Sequence, residues 1–516
     1  MPPKRSKVLK DENQMKKQKQ ISSDSMKTNS DEEDTDKPSV KRILTQFKSE
    51  NGEVTSTPID MPVNVTVDNL QALCNTLLKT EEETSYSFFV NDVEIREQLD
   101  KTVDKETLEN SEKVLEIVYQ PQAVFRVRAV TRCTSTVEGH ADPVLAAAFN
   151  ADGRYLASGS ADKTVRLWDI YTETPQYTCK GHRHSVLCLA WSVEGKKLAS
   201  GCQNGEIFIW NPSNGKQIGK PLTGHKKWIN SLQWRPLHLD SECRFLASAS
   251  KDATIRKWDT LLGTCVLVLS SHLLGVSCLR WGGTDLLYSA SQDRTIKVWR
   301  ASDGVLCRTL QGHGHWVNTM ALNTDYVMRT GAFDPAKAEL VHTPVTMTAE
   351  ELSKKAKDRY EAVKGSQPEM MVSGSDDSTL FLWNPESATK PLARMTGHQQ
   401  LINQVCFSPD TRLIASASFD KSVKLWDGRT GKFLATFRGH VNRVYQVVWS
   451  ADSRLLCSGG ADSTLKVWDV PNRKLAFDLP GHADEVYAVD WSPDGQRVVS
   501  GGKDKALKIS TAHVTP

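Results

Sequence analysis

No tryptophan occurs in the first 160 residues, although the chain carries 14 of them. The two parts of the chain therefore differ in kind. Cysteine is present at 11 positions, from Cys74 to Cys457, but never as a CxxC pair. That excludes the usual spacing of zinc ligands and argues against a disulfide framework. The cysteines read instead as small apolar residues of a reducing compartment. No apolar run approaches the roughly 18 residues of a membrane span, and "MPPKRSKVLKDENQMKKQKQ" has no apolar core of a secretory signal. An intracellular, soluble protein with no membrane association is expected. An excess of one charge is missing too: 65 Lys and Arg face 62 Asp and Glu, a net charge of +3. The balance gives no global electrostatic case for nucleic acid. Phosphate-binding GxxxxGK[ST], HExxH and GxSxG are all absent. Neither a catalytic residue nor an intrinsic metal site or cofactor is expected.

The 516 residues exceed one ordinary core, so either several domains or a repeat must absorb the length. A repeat does. Gly-His recurs with its histidine at 140, 182, 225, 313, 398, 440 and 482, and Ser271-His272 fills the same slot once. Successive histidines are 42, 43, 47, 41, 85, 42 and 42 residues apart. All steps but the doubled one match a propeller blade of about 40–45 residues. The second half of each unit agrees: "LASGSADKTVRLWD" (156–169) returns as "LASASKDATIRKWD" (246–259) and "LCSGGADSTLKVWD" (456–469). In each, an apolar strand meets a tight Asp-containing turn, and an alternating strand ends at Trp.

Within the first unit, His140, Ser158, Asp162 and Trp168 can form one buried hydrogen-bonded chain across three strands. Buried polar groups need partners, and each partner then fixes its neighbour's geometry. The chain resembles the structural tetrad of the WD-repeat family. Asp252, Asp293, Asp377, Asp420, Asp462 and Asp504 take the acid's place in later units; Asn204 replaces it in the second, and Ser510 replaces Trp in the last. Eight of the 13 histidines are thereby accounted for structurally. The last unit ends at "KALKIST" without an outer strand, and "AVFRVRAVTRCTSTVEGH" (123–140) can supply it and close the ring. The expected fold is mainly β: an eight-bladed propeller over 123–516, with an insertion at about 323–368. That insertion holds a helix with Thr348 and Glu351 spaced as a capping box and Gly365 as its C-cap. It reads either as a tolerated surface loop or as a docking element.

Residues 1–40 carry a lysine-rich half and an acidic half, and few apolar residues, which predicts a disordered tail; "PPKRSK" and "KKQK" suit nuclear import. Over 41–122 the texture is ββαββ: a hairpin turning at Asn51-Gly52, a helix N-capped by Asp68 with Leu70, Leu73 and Leu77 on one face, then the strands "SYSFFVNDVEI" and "VLEIVYQ". This is a small α+β, ubiquitin-like arrangement. It lacks a Gly-Gly tail, so it reads as a binding module. Glu106, Glu109, Glu112 and Glu116 crowd the entrance of its last strand, and spacing alone does not choose among them.

The pairing of such a module with an eight-bladed propeller, together with "SYSFFVND", "EIVYQPQAVFRVRAVTRCTSTVEGH" and "DYVMRTGAFDP", resembles the Notchless family of ribosome assembly factors. The resemblance implies a monomeric, non-catalytic factor of the nucleus and nucleolus. Its propeller would dock on the pre-ribosomal large-subunit particle, with its ribosomal RNA and proteins. Its ubiquitin-like module would be gripped by the metal-ion-dependent adhesion site (MIDAS) of midasin, an AAA ATPase. The family's glutamate for that contact matches Glu112, flanked by Ser111; it would complete the coordination of a Mg²⁺ held by the partner. An adaptor in Notch signalling, or a receptor recruiting substrates to a ubiquitin ligase, is the alternative. Independently, "KGHRH" (180–184), "GHKKW" (224–228) and "GHGHW" (312–316) place basic and aromatic residues on loops of one face. Sequence leaves open whether that face meets RNA or protein.

Overall fold

The computed structural model describes residues 42–49, 54–78, 86–90, 93–95, 98–99, 114–121, 127–335 and 347–512. The tail over 1–40 and the turn at Asn51-Gly52 lie outside them. The chain forms two compact units, divided between Gln122 and Ala123.

In the first unit, strands β1 (Arg42–Ser49), β2 (Ile59–Pro62), β3 (Tyr86–Val90), β4 (Val93–Glu94) and β5 (Leu115–Pro121) form one sheet in the order β2-β1-β5-β3-β4. The central pair is parallel, with Thr45 opposite Leu115 and Ser49 opposite Tyr119. A parallel pair needs a long crossover, and helix α1 (Val67–Leu78) lies on it. Alternation along β1 turns Ile43, Thr45 and Phe47 inward, onto Leu70, Cys74, Phe88 and Ile117. Two local expectations are corrected here. The helix starts at Val67, so Asp68 sits in its first turn rather than at the cap, where a carboxylate still favours the helix dipole. "SYSFFVNDVEI" is two strands, β3 and β4, paired antiparallel with Val90 opposite Val93.

Among the described residues, the second unit contains eight sheets, seven of four strands and one of three. Blade 1 shows the pattern. Strand β6 (Arg132–Val137) precedes the first Gly-His; β7 (Val144–Phe149), β8 (Tyr155–Ser160), β9 (Thr164–Asp169) and β10 (Thr174–Lys180) then run antiparallel as an up-and-down meander. β8 is buried almost throughout because sheets flank it on both faces, and small residues allow the approach: a Cβ at Gly159 would lie 2.8 Å from Val186 of the next blade. β6 pairs with Leu507–Thr511 and completes the last blade, with Val137 opposite Leu507 and Arg132 opposite Thr511. Blade 2 has three strands, its outer edge held only by isolated bridges at Ile207–Leu222 and Trp210–Gln217.

In such a meander the Gly-His loops and the Asp turns share one face, and the turns leaving each innermost strand share the other. The insertion leaves the innermost strand of blade 5 and spreads over that second face. Helix α2 (Asp325–Thr330) sends Arg329 to Asp490 of blade 8, at 2.8 and 2.5 Å. Tyr326 donates to the Pro493 carbonyl at 3.3 Å. Gly331 has φ +56°, and a Cβ there would sit 2.2 Å from Val193 of blade 2, so only glycine fits. Helix α3 (Ala349–Lys364) carries the capping box: Thr348 accepts from the Glu351 N–H, and Glu351 accepts from the Thr348 N–H. Its Ala356 enters the core of blade 3, and its Tyr360 stacks on His238 of that blade at 4.7 Å. The described part of the segment is therefore neither a free surface loop nor a projecting docking arm. It is a brace across one face, touching blades 2, 3, 4, 5 and 8.

Asp490 also accepts the Phe149 N–H of blade 1 at 2.8 Å and is nearly buried, whereas Arg329 is partly exposed. Arg329→Ala strands the carboxylate; a cost of about 2 kcal/mol is expected, below the value for a fully buried pair. A lower urea midpoint with an unchanged m-value would be the signature, and an unchanged midpoint would show that the brace carries no stability.

Candidate functional site

The recurring polar chain is the most strongly built feature of the propeller. His140 enters ahead of β7, Ser158 lies on β8, Trp168 on β9 and Asp162 in the turn between the last two. His140 Nδ1 is 2.8 Å from Asp162, its Nε2 is 2.8 Å from Ser158 Oγ, and Trp168 Nε1 donates to that Oγ at 2.8 Å. A carboxylate only accepts, so Nδ1 carries the proton, and Nε2 accepts from the Ser158 hydroxyl. The imidazole is neutral, in keeping with burial, which lowers its pKa against the pull of Asp162. Burial alone would raise the Asp162 carboxyl, but hydrogen bonds from Thr164, the Ala141 N–H and His140 outweigh it and hold the pKa at about 2. The same His–Asp contact spans 2.7–3.1 Å in the seven blades that have the acid. This wiring leaves no free base or nucleophile. It fixes the angle between the Gly-His loop and the Asp turn, and so the surface those loops present.

Two blades depart from the pattern where the substitutions fall. In blade 2, His182 keeps Ser200 at 2.6 Å and Ser200 keeps Trp210 at 2.7 Å, but His182 Nδ1 is buried without a partner. Burial alone takes this imidazole to about 4. In blade 8, His482 binds Asp504 and Ser500, while buried Ser510 stands where other blades place the indole.

In the first unit, Ser111 and Glu112 lie outside the described residues, as do Glu106 and Glu109. Glu116 is on β5 and forms an exposed ion pair with Lys48 at 3.0 Å. Leu115, Ile117 and Tyr119 of the same strand face the core. Tyr119 shares a hydrogen bond of 2.7 Å with Thr55, which ties the strand to the connection between β1 and β2. Among the described residues no group of three His, Cys, Asp or Glu side chains could hold a metal ion, and all 11 cysteines are free.

Sequence reading did not single out the fully buried Glu369. Glu369 accepts at one oxygen from the Gly283 N–H, Thr324 and Tyr360, at 2.9–3.0 Å, and joins the brace to blade 4. Burial pushes its pKa up against those three donors. The signal was an acid directly before the apolar strand "MMVSGS", legible only once that strand is known to be covered on its outer side.

Comparison with known proteins agrees with this geometry. A model of the NLE (NUC135) domain matches residues 43–103. The WD domain, G-beta repeat, matches seven times, at 131–169, 173–211, 215–259, 263–300, 389–427, 431–469 and 473–509. The interval between the fourth and fifth matches holds the braced blade. "Protein Notchless" of Drosophila melanogaster is 55% identical over 371 residues, 72% of this chain and 75% of the relative. "Ribosome assembly protein 4" of Saccharomyces cerevisiae is 45% identical over 408 residues, 75% of this chain and 78% of the relative. Among solved structures, the computationally designed Ika8 protein superposes with a TM-score of 0.56 at 25% identity, over 75% of this chain and all of that one.

His182 supplies a pH test. Its folded pKa of about 4 lies below its ordinary 6.5, so between those values the unfolded chain binds more protons. Stability from this residue is complete above pH 6.5 and falls by up to about 1.4 kcal/mol per pH unit towards pH 4. Asn204→Asp offers Nδ1 the acid it lacks. The variant is expected to gain about 1 kcal/mol at pH 7 and to lose less than the parent between pH 6.5 and 5, read from urea midpoints at both values. Parallel losses would show that Asn204 does not occupy the acid's place.

Proposed function

The chain belongs to the family of Notchless and Ribosome assembly protein 4, and from that premise we propose that it is a scaffold factor in assembly of the large ribosomal subunit, working in the nucleus and nucleolus. The likeness to Ribosome assembly protein 4 across more than three quarters of that protein carries the reading. The architecture suits it: a rigid propeller wired by internal hydrogen bonds offers a docking platform, and a separately packed α+β module offers a second contact. Sucrose-gradient sedimentation of extracts from growing cells tests this. The protein should migrate with pre-ribosomal particles; confinement to the light fractions would favour a Notch-pathway or ubiquitin-ligase adaptor.

The finer part of the proposal concerns the first unit. The MIDAS of midasin grips it, and Glu112, beside Ser111, completes the octahedral oxygen shell of the partner's Mg²⁺. ATP-driven pulling through that contact remodels or releases the factor. Support comes from the register of "NSEKVLEIVY" and from the pairing of Glu116 with Lys48, which leaves that acid engaged elsewhere. The full-length protein should be captured by isolated MIDAS in Mg²⁺ and released by EDTA. Glu112→Ala should abolish capture, and Glu112→Asp, one methylene shorter, should weaken it at least tenfold (about 1.4 kcal/mol). Undiminished capture of both variants would remove Glu112 from the contact.

A further inference from the structure

The two faces of the propeller are unlike. One is crossed by the brace; the other carries the Gly-His loops and Asp turns, and there the exposed side chains are unevenly distributed. In blade 3, Lys226, Lys227 and Trp228 follow the tetrad histidine, all exposed, with Trp228 at 42%. The facing turn contributes Lys251, whose ammonium lies 4.4 Å from the Trp228 ring centroid, so cation and π-face are presented together. Blade 4 adds exposed Arg294, and blade 5 adds His315 and Trp316, the latter 43% exposed.

These loops abut. A Cβ at Gly205 of blade 2 would lie 3.0 Å from the Lys227 carbonyl, and one at Gly275 of blade 4 would lie 3.1 Å from the Lys251 Cα. The carboxylates of the same loops are engaged internally: Asp252 with His225, Asp293 with His272, Asp377 with His313, and Asp376 with Asn318 and His315. Opposite lies blade 8, where Asp484 and Glu485 follow the tetrad histidine, Asp484 paired with Lys503 of the facing turn, and no indole is presented. A near-neutral chain has thus gathered a cationic, aromatic sector over blades 3–5.

We propose that this sector binds a short unpaired stretch of RNA, with Lys226, Lys227, Lys251 and Arg294 against phosphates and Trp228 and Trp316 as stacking platforms for bases. Lysine and arginine supply the attraction to the backbone. Two half-exposed indoles supply what a purely electrostatic patch lacks, a surface on which any base can stack. An A-form duplex keeps its bases stacked inside and cannot use them. An acidic peptide would use the cations and leave the indoles without ring partners. The identity of the RNA as ribosomal rests on the assembly reading above; the binding chemistry does not.

The test is fluorescence anisotropy of the full-length protein with a labelled 12-nucleotide single-stranded RNA, the matching duplex and a polyglutamate peptide. Trp228→Ala with Trp316→Ala should weaken single-strand binding about tenfold or more and leave duplex binding unchanged. Lys226→Gln with Lys227→Gln should weaken both RNAs and reduce the salt dependence by about 0.7 per lost phosphate contact. Photocrosslinking with 4-thiouridine RNA should mark 226–228 and 314–316, separating this sector from the lysine-rich tail. Unchanged single-strand affinity in both variants, crosslinks confined to the tail, or polyglutamate binding tighter than RNA would overturn the proposal. A tryptophan variant that loses RNA yet still sediments with pre-ribosomal particles supports the sector and keeps the assembly reading. A wild type that sediments there without binding RNA overturns the sector alone.

Discussion

The last blade gains its outer strand from the far end of the unit, which joins both ends of the array in one sheet. Here Arg132–Val137 lies against Leu507–Thr511, joining residues about 370 positions apart. The seam lies within blade 8, where Ser510 takes the place of the tetrad indole. The brace bears on the same region. Asp490 accepts from the Phe149 N–H across the seam, and Arg329 reaches the same carboxylate from blade 5. One side chain therefore links blades 8, 1 and 5, so that the site of ring opening is tied by a contact made from across the ring.

This reinforcement divides the surface. An insertion that must reach blades 2, 3 and 8 from blade 5 has to cross the face of the turns that leave the innermost strands. The opposite face stays lined by the Gly-His loops and Asp turns, whose backbones the tetrads hold. In seven blades the tetrad binds the loop through Asp, as when the Ala141 N–H and His140 share Asp162. Side chains projecting from such loops are pre-placed, which lowers the ordering cost of a partner's binding.

Most of the fold was legible because repeats betray themselves. The histidine spacing, the Asp turns and the closing strand follow from the sequence, and Asn204 marked the one tetrad histidine whose Nδ1 the structure leaves unpartnered. What was not legible has one physical cause: contacts between segments that share no period. Arg329 and Asp490, Tyr360 and His238, and Glu369 with Gly283 are distant in sequence, and nothing local announces their pairing. Smaller misses were local competitions. The strand through "SYSFFVNDVEI" folds back on itself, and α1 begins one residue before the Asp68 that looked like its cap.

Comparison of the blades with one another separates fold from function without any other sequence. Positions occupied alike in nearly every blade, His, Ser, Asp and Trp, answer a need that every blade shares: satisfying buried polar atoms. They hold no information about a particular partner. The positions immediately after the histidine sit on the same backbone under the same constraints, yet they read Lys-Lys-Trp, Leu-Leu-Gly, Gly-His-Trp and Val-Asn-Arg in blades 3, 4, 5 and 7. Packing does not demand these differences, since the residues concerned are largely exposed. Leu273, Trp228 and Trp316 are large apolar side chains exposed at such positions. Specific recognition by the propeller therefore has to be sought where the repeat stops repeating, on the face that the brace leaves uncovered.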